Sequence, residues 1–258
     1  MRLCRYIFVI ILLAGMMLTM TSCRGESVLV AGVDINQVPL SYSDGSNNVV
    51  GFEVDMATEA AKRANMTVKI VPINWDQKDK LLKNDKVNSL WGKVTGTPEE
   101  KNDILMTKPY MKNNQIFVVS SDSKMASVQD LIGKTVGTVT SSSAAKNFKK
   151  DPVSAQLSGG SMQNFTDTNT LFLALQSGQI DAAAVDETMG EYYINQNTID
   201  YKVLNATISS EEYSIGVRRD DSRLRNSLQA ALASMAKDGT SRALSIKWFG
   251  KDYTLKMN

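Results

Sequence analysis

Apolar and polar positions in the early part of the chain follow two alternating periods. Residues 28–34, VLVAGVD, form a continuous apolar run that is typical of a buried strand. Residues 51–65, GFEVDMATEAAKRAN, place one valine and three alanines on a single helical face. Residues 67–73, TVKIVPI, return to a strand pattern, so the sequence predicts a strand, helix, strand opening.

The same alternation predicts elements along the rest of the chain. After a helix at 78–83 and a strand at 89–91, a short helix begins with Thr97 as its cap and Pro98 in its first position. The remaining predicted elements are strands at 115–121, 134–140, 180–186 and 212–220 and helices at 127–132, 142–150, 170–178, around Tyr192 and Tyr193, at 222–237 and at 241–249. Strands alternating with helices predict an α/β fold with doubly wound parallel sheets.

Two such series divide the chain into two lobes. Only the strands near 115–121 and 212–217 cross between them, so the second lobe, residues 119–213, is inserted into the first, residues 27–118 and 214–255. Ligands of doubly wound sheets bind beyond the carboxyl ends of the strands. We therefore expect a binding cleft where the two sets of strand ends face each other.

Residues 1–23 have the pattern of an export signal. Arg2 and Arg5 precede the apolar run 6–18, which gives way to the small polar residues that end at Cys23. The residues before Cys23 resemble a bacterial lipoprotein box, in which the Cys becomes the lipid-bearing first residue of the mature chain. An uncleaved anchor is the alternative, and both interpretations place the globular part on the extracellular face of the cell membrane.

Composition and charge exclude several classes of function. With 43% hydrophobic residues in 258, the chain can bury a full core. Removal of Arg2 and Arg5 with the signal leaves 27 of the 29 Lys and Arg residues against 27 Asp and Glu residues, so there is no basic field for nucleic acid. The chain has no His, and its two Cys residues, Cys4 and Cys23, belong to the signal region. We therefore expect no disulfide, no metal site and no cofactor.

Two Gly and Lys pairs suggest a phosphate loop, but neither completes the motif. Residues 133–135, GKT, match its end, yet the Gly required five residues earlier is Val128. Gly92 and Lys93 fail as well, because Val94 stands where Ser or Thr is needed. The sequence therefore excludes a nucleotide triphosphatase site at these positions.

Three features fall where a cleft should lie, and each has a structural alternative. Ser142 and Ser143 belong to a Ser cluster at the start of a helix, where hydroxyl and N–H groups suit a carboxylate or phosphate, or simply cap the helix. Asp186 ends a buried strand, where it could accept hydrogen bonds from an ammonium group or cap the following helix. Trp75 is either a stacking wall or ordinary core.

A set of segments, in order, gives the chain its resemblance to a known family. They are VGFEVDMATEAAKR, INWD, WGKVTGTPEEKNDILMTKPY, DLIGKTVGTVTSSSA, SGQIDAAAVDE, EEYSIGVRRDD and MAKDGTSRALSIKWFGKD. The set covers nearly the whole mature chain and resembles the bacterial extracellular solute-binding proteins of family 3, the receptors of polar amino acid ABC importers, and among them the Gram-positive subgroup. The resemblance implies a monomeric, two-lobed clamp of the periplasmic-binding-protein type II fold. Such a clamp closes by hinge motion on a small polar solute and docks on an ABC permease in the cell membrane.

The resemblance also implies which residues contact the solute. Asp186 falls at the position of the Asp that accepts the α-ammonium group, and Trp75 at that of a stacking aromatic. The other implied site residues are Gly92 and Lys93 in the loop, the hydroxyl and amide donors Thr95, Ser142 and Ser143, and the first-loop acid Asp34 with its neighbour Gln37.

Three positions depart from the family pattern. Glu100 stands where the family carries the Arg that binds the α-carboxylate, Gln37 replaces the first-loop aromatic, and Lys93 replaces a Gly or Ser. Two like charges about 4 Å apart repel by roughly 4 kcal/mol at an effective dielectric of about 20, which corresponds to about a thousandfold in affinity. An α-amino acid in the usual pose therefore needs a compensating cation, for which Lys93 and Lys101 are the candidates.

Three interpretations follow from Glu100. In the first, the solute is cationic or neutral at the end facing Glu100 and lies between Glu100, Asp186 and Asp34. In the second, an amino acid binds with its carboxylate on Lys93, and Glu100 turns to solvent or pairs with Lys93. In the third, the protein has lost small-molecule binding and has another surface role. We do not expect an enzyme, whose best form here would be a dehydratase-like protein with Glu100 as general acid.

Overall fold

The computed structural model describes residues 27–140, 142–196 and 200–257, so the predicted export signal and Cys23 lie outside the described residues. The strands are β1 Val28–Val33, β2 Asn36–Gln37, β3 Ser41–Ser43, β4 Val49–Val50, β5 Thr67–Pro72, β6 Ser89–Val94, β7 Ile104–Met106, β8 Met111–Ser120, β9 Val136–Val139, β10 Gln163–Phe165, β11 Ala182–Asp186 and β12 Tyr201–Arg218. The helices are α1 Phe52–Arg63, α2 Lys78–Lys83, α3 Pro98–Asp103, α4 Ser143–Phe148, α5 Thr168–Gln176, α6 Glu187–Gln196, α7 Ser222–Lys237 and α8 Thr240–Phe249, and short 3₁₀ helices lie at Trp75–Gln77, Val128–Leu131, Pro152–Gln156 and Ser158–Gly160. Within the described part of the chain, none of these helices has the length and apolar character needed to span a bilayer.

Most of the predicted elements are present, and several were missed. Helix α7 has the predicted bounds, and α3 begins at Pro98 with Thr97 as its cap. Strand β12 is much longer than predicted, since it begins at Tyr201. The missed strands are β2, β3 and β4, which form a small antiparallel sheet, together with β7 and β10. Each has only two or three residues, too few for a hydrophobic period to show.

The sheets are mixed, which corrects the prediction of wholly parallel sheets within a confirmed α/β fold. Strands β5, β1 and β6 run parallel in one part, and β10, β9 and β11 run parallel in the other. Strand β8 is antiparallel to β11, and β12 is antiparallel to β6, β7 and β8. The reason is that β8 and β12 are the strands that cross between the two parts. They pair with each other from Met111 opposite Tyr213 to Ser120 opposite Tyr201.

Buried side chains form two sets of clusters on either side of the crossing strands. The first set includes Phe52, Trp91 and Phe249 and belongs to the part of the sheet built on β1, β5 and β6. The second set includes Phe117 and Phe172 and belongs to the part built on β9, β10 and β11. We call the parts of the chain that pack around these clusters the first lobe and the second lobe. The predicted lobe boundaries stay a prediction.

Residues 250–257, the C-terminal segment, add a further connection between the lobes. Thr254 bridges to Met111 at the start of β8. Lys251 forms an ion pair with Glu191 of helix α6, in the second lobe. The segment follows α8 of the first lobe, so it spans from that lobe to the second beside the crossing strands.

Helix α1 begins at a turn that requires glycine. Gly51 has φ +138°, and a Cβ atom there would lie 2.3 Å from the carbonyl oxygen of Leu40. The N–H groups of Phe52 and Glu53 donate to the carbonyls of Pro39 and Leu40 at 3.1 and 2.8 Å. These two hydrogen bonds hold the start of the helix close against the loop that follows β2.

Glu53, in the first turn of α1, is fully buried in the first lobe. The hydroxyl of Tyr110 donates to Glu53 Oε1 at 2.6 Å, and Oε2 has no hydrogen-bond partner within the described part of the chain. Burial raises the pKa of Glu53 from its usual 4.5 to about 8. The folded protein therefore holds this carboxyl group mostly protonated at neutral pH.

Glu53→Gln should remove a pH dependence from the stability of the protein. Between pH 4.5 and about 8 the folded state retains the Glu53 proton and the unfolded state releases it, so the free energy of unfolding falls as pH rises through this window. The full effect is about 1.4 kcal/mol per pH unit. Urea unfolding of the unaltered protein and of Glu53→Gln across this pH range measures how the free energy of unfolding changes with pH. The exposed Glu212→Gln is the matched control. Equal slopes in all three proteins would contradict the prediction.

Candidate functional site

An ion pair between the two lobes lies at the centre of the site. Lys93, in strand β6 of the first lobe, places its Nζ 2.5 Å from Oδ2 of Asp186, the last residue of strand β11 in the second lobe. The side chains are 20% and 6% exposed. Asp186 therefore accepts a hydrogen bond from an ammonium group of the protein itself, and its contact with the ammonium group of a solute stays a prediction.

A second carboxylate, from Glu211, faces the same pair. Burial and the neighbouring charge of Asp186 raise the pKa of Glu211, while a hydrogen bond from Ser143 and the charge of Lys93 lower it. Its Oε2 is buried and has no hydrogen-bond partner among the described residues. Gln115 also donates to Asp186, through Nε2 to Oδ1 at 3.3 Å. Glu211 is not evident as a site residue from the sequence, because only the register of β12 on β8 brings it to Asp186.

Glu100 lies in a ring of backbone N–H groups at the start of α3. Its Oε2 accepts from the N–H groups of Thr95, Gly96 and Thr97 at 3.1, 2.9 and 3.2 Å, and the Thr97 hydroxyl accepts from the Glu100 N–H in return. Three converging N–H groups form an anion-binding concavity, which here holds a carboxylate of the protein itself. The cation beside Glu100 is Lys78, 3.9 Å from Oε1, since Lys93 pairs with Asp186 and Lys101 is exposed.

The first-loop residues line a small cavity in the first lobe. Asp34 accepts from the side-chain amides of Asn36 and Gln37 at 3.2 and 3.0 Å. The Oε1 atom of Gln37 is buried and has no hydrogen-bond partner within the described part of the chain. The cavity is about 30 Å³ and is lined by Asp34, Gln37, Leu40, Ser41, Trp75, Trp91, Gly92 and Lys93. With Lys93 in place it has room for only one or two water molecules.

The remaining predicted residues divide between structural and cleft positions. Ser142 caps helix α4 and accepts from the N–H of Ala145 at 3.1 Å, which matches the capping alternative. Ser143 reaches the cleft, because it hydrogen-bonds Glu211. Trp75 is half-buried and forms a wall of the small cavity, with Lys78 Nζ 5.9 Å from its ring centre. As contacts to a solute, these residues stay predictions.

Comparison with known protein families agrees with this two-lobed arrangement. The sequence profile of the bacterial extracellular solute-binding proteins, family 3, matches residues 29–251. The chain belongs to this family. The resemblance that the sequence segments indicated is thereby confirmed, and members of the family are solute-binding transport proteins rather than enzymes.

Curated relatives of this family 3 protein are similar over most of their length. The L-cystine-binding protein TcyJ of Escherichia coli K12 is 25% identical over 233 residues, which cover 90% of this chain and 86% of TcyJ. The arginine-binding extracellular protein ArtP of Bacillus subtilis 168 is 27% identical over 226 residues, which cover 87% of each chain. The likeness therefore extends across both lobes.

Solved structures of similar proteins share the fold. An ABC uptake transporter substrate-binding protein from Streptococcus pneumoniae with bound histidine has a TM-score of 0.75 at 27% identity and covers 89% of this chain and 95% of its own. An ancestral cationic amino acid solute-binding protein has a TM-score of 0.78 at 27% identity, with 86% and 96% covered. The predicted two-lobed type II fold is confirmed for this family 3 protein.

Proposed function

We propose that this family 3 protein is the extracellular substrate-binding component of an ABC importer for amino acids or related small polar or cationic solutes. The observation that supports the proposal most is the pair of Lys93 and Asp186, in which an ammonium group from one lobe meets a carboxylate of the other. A solute with an ammonium group would meet the same carboxylate between the same lobes. Its binding would hold the clamp closed by rotation about the crossing strands β8 and β12.

The ligands of the relatives support a solute with an ammonium group. ArtP is an arginine-binding protein, TcyJ is an L-cystine-binding protein, and the Streptococcus structure contains histidine. All three ligands carry an α-ammonium group, which is the group that Asp186 is placed to accept. We take this shared group, rather than any one of the three compounds, as the basis of the proposal.

The proposal includes the location and partners of the protein. The signal pattern before Cys23 supports a lipid anchor that retains a monomeric clamp on the extracellular face of the membrane, near an ABC permease. If this anchor is present, fractionation of cells should recover the protein in the membrane fraction.

A thermal-shift screen of the purified protein against amino acids, diamines and guanidino compounds tests the proposed function. A solute at a hundred times its Kd should stabilise the folded state by about 2.7 kcal/mol. Asp186→Asn should abolish the shift, and the exposed Asp122→Asn should retain it. A screen in which no compound stabilises the protein would contradict the proposal. A shift retained in Asp186→Asn would mean that the solute binds outside this cleft.

A further inference from the structure

We propose that the solute of this cleft is a cation that carries no carboxylate group, either an amine or a guanidinium compound. The inference rests on the proposed function, because it names the class of solute that the same cleft takes. It is based on which hydrogen-bonding groups of the cleft are already paired within the protein and which are not.

The anion-binding position of the cleft is already filled. The Glu100 side chain is 11% exposed, and its Oε2 takes all three N–H groups of Thr95, Gly96 and Thr97. The resemblance implies that Thr95 should donate to the solute, but here it donates to Glu100. A solute carboxylate would have to displace the carboxylate of Glu100 and then lie beside it, as a like charge.

The two lysines nearest the cleft are also committed to carboxylates. Lys93 lies 2.5 Å from Asp186. Lys78 lies 3.5 Å from Asp79 and 3.9 Å from Glu100. Recruiting Lys78 for a solute carboxylate would leave Glu100 and Asp79 without their cation. Lys93 could turn to a solute carboxylate only after a solute cation had replaced it at Asp186, and an amino acid bound in that way would bind more tightly than its partner without the carboxylate.

The acceptors of the cleft, in contrast, remain in excess on both walls. Gln37 Oε1 in the first lobe and Glu211 Oε2 in the second are buried, and neither has a hydrogen-bond partner in the part of the chain that the structure describes. Asp34 pairs with uncharged N–H groups of Asn36 and Gln37. Buried acceptors are normally satisfied by protein or by water, and a solute rich in N–H donors would supply a partner to both of these oxygens.

The cleft also shows how such a cation would be held. Lys93 marks one cation position, at Asp186, and its charge also acts on Glu211. Trp75 offers an aromatic face at the cavity of about 30 Å³, which is too small for a solute while Lys93 remains inside. A solute cation would therefore replace the Lys93 ammonium at Asp186, and a second cationic group would lie toward Asp34 and Trp75.

The inference can be tested on the unaltered protein with pairs of compounds that differ only in whether they carry a carboxylate group. Agmatine and argininamide both lack the carboxylate of arginine, and putrescine lacks that of ornithine. Isothermal titration calorimetry should show at least tenfold tighter binding of agmatine than of arginine, and of putrescine than of ornithine. Argininamide is about as large as arginine but has an uncharged amide in place of the carboxylate. It therefore tests the loss of the charge without a loss of size, and it should bind more tightly than arginine.

A charge-reversal variant supplies a second measurement. Glu100→Arg frees the three N–H groups and provides a cation, so it should raise arginine affinity at least tenfold relative to agmatine, while the exposed Glu212→Arg should not. Thermal melting checks that Glu100→Arg is folded. If this variant does not fold, the binding of the paired compounds to the unaltered protein decides the inference. Tighter binding of arginine or ornithine than of their partners overturns the inference and leaves the proposed function standing. The inference also fails if the amines do not bind while the screen finds another solute, and both proposals fail if the screen is empty.

Discussion

Lys93→Met should open the ligand-free protein and lower its thermal stability. Removing one partner of a buried ion pair typically costs about 3–5 kcal/mol, and because Lys93 is 20% exposed we expect a smaller cost, on the order of 2 kcal/mol. The protein can avoid most of this cost by parting its lobes, because Asp186 then regains contact with water. Met keeps the apolar stem of Lys93, so the variant removes a charge without leaving a cavity.

Small-angle scattering of the ligand-free protein measures this opening as a larger radius of gyration. The exposed Lys80→Met makes the same change of charge outside the cleft and should leave the radius unchanged. Combining Lys93→Met with Asp186→Asn should restore much of the compact form, because neither lobe then carries an unpaired charge. A compact Lys93→Met protein would show that the pair does not hold the lobes together.

Gly51→Ala should destabilise the protein by about 3 kcal/mol or more, which is enough to unfold many domains. Two causes act together at this position. The φ of +138° is rarely adopted by residues with a side chain, and the new Cβ would lie 2.3 Å from the carbonyl oxygen of Leu40. The backbone cannot move away easily, because Phe52 and Glu53 hydrogen-bond the carbonyls of Pro39 and Leu40.

Chemical denaturation compares Gly51→Ala with Gly45→Ala, its matched control. A Cβ atom at Gly45 would have no neighbour within 4 Å, so we expect a change within about 0.5 kcal/mol there. Similar losses of stability in the two variants would contradict the prediction, because they would show that the close contact with Leu40 does not set the cost.

The sequence predicted those elements of the fold whose pattern is long or whose ends carry a clear signal. Helix α7 runs for 16 residues with an apolar face, and Thr97 and Pro98 mark the start of α3 through local chemistry. Strand direction could not be predicted, because it depends on how β8 and β12 pair across the molecule and not on the period of either strand. A hydrophobic pattern reports which residues are buried, but it does not report which way a strand runs.

The candidate site was predictable only in part, for the same reason. The position of Asp186 at a strand end is visible in the sequence, and so is the departure of Glu100 from the family pattern. The sequence does not show that Glu211 faces Asp186, because residues from separate strands meet only through the sheet register. The spacing of Thr97 and Glu100 is that of a capping box, so the bond from the Thr97 N–H to Glu100 could have been predicted. The further bonds from the Thr95 and Gly96 N–H groups could not, because they depend on the left-handed turn at Gly96, with φ +71°.

We expect the C-terminal segment to restrict the directions in which the two lobes can move. Two crossing strands alone would allow the lobes to twist and slide past one another as well as to swing. Because Thr254 also bridges to Met111 and Lys251 pairs with Glu191, the motion that preserves these contacts is a rotation about a line along the crossing strands. We therefore expect opening to follow mainly this rotation, with the end of the chain helping to define its path.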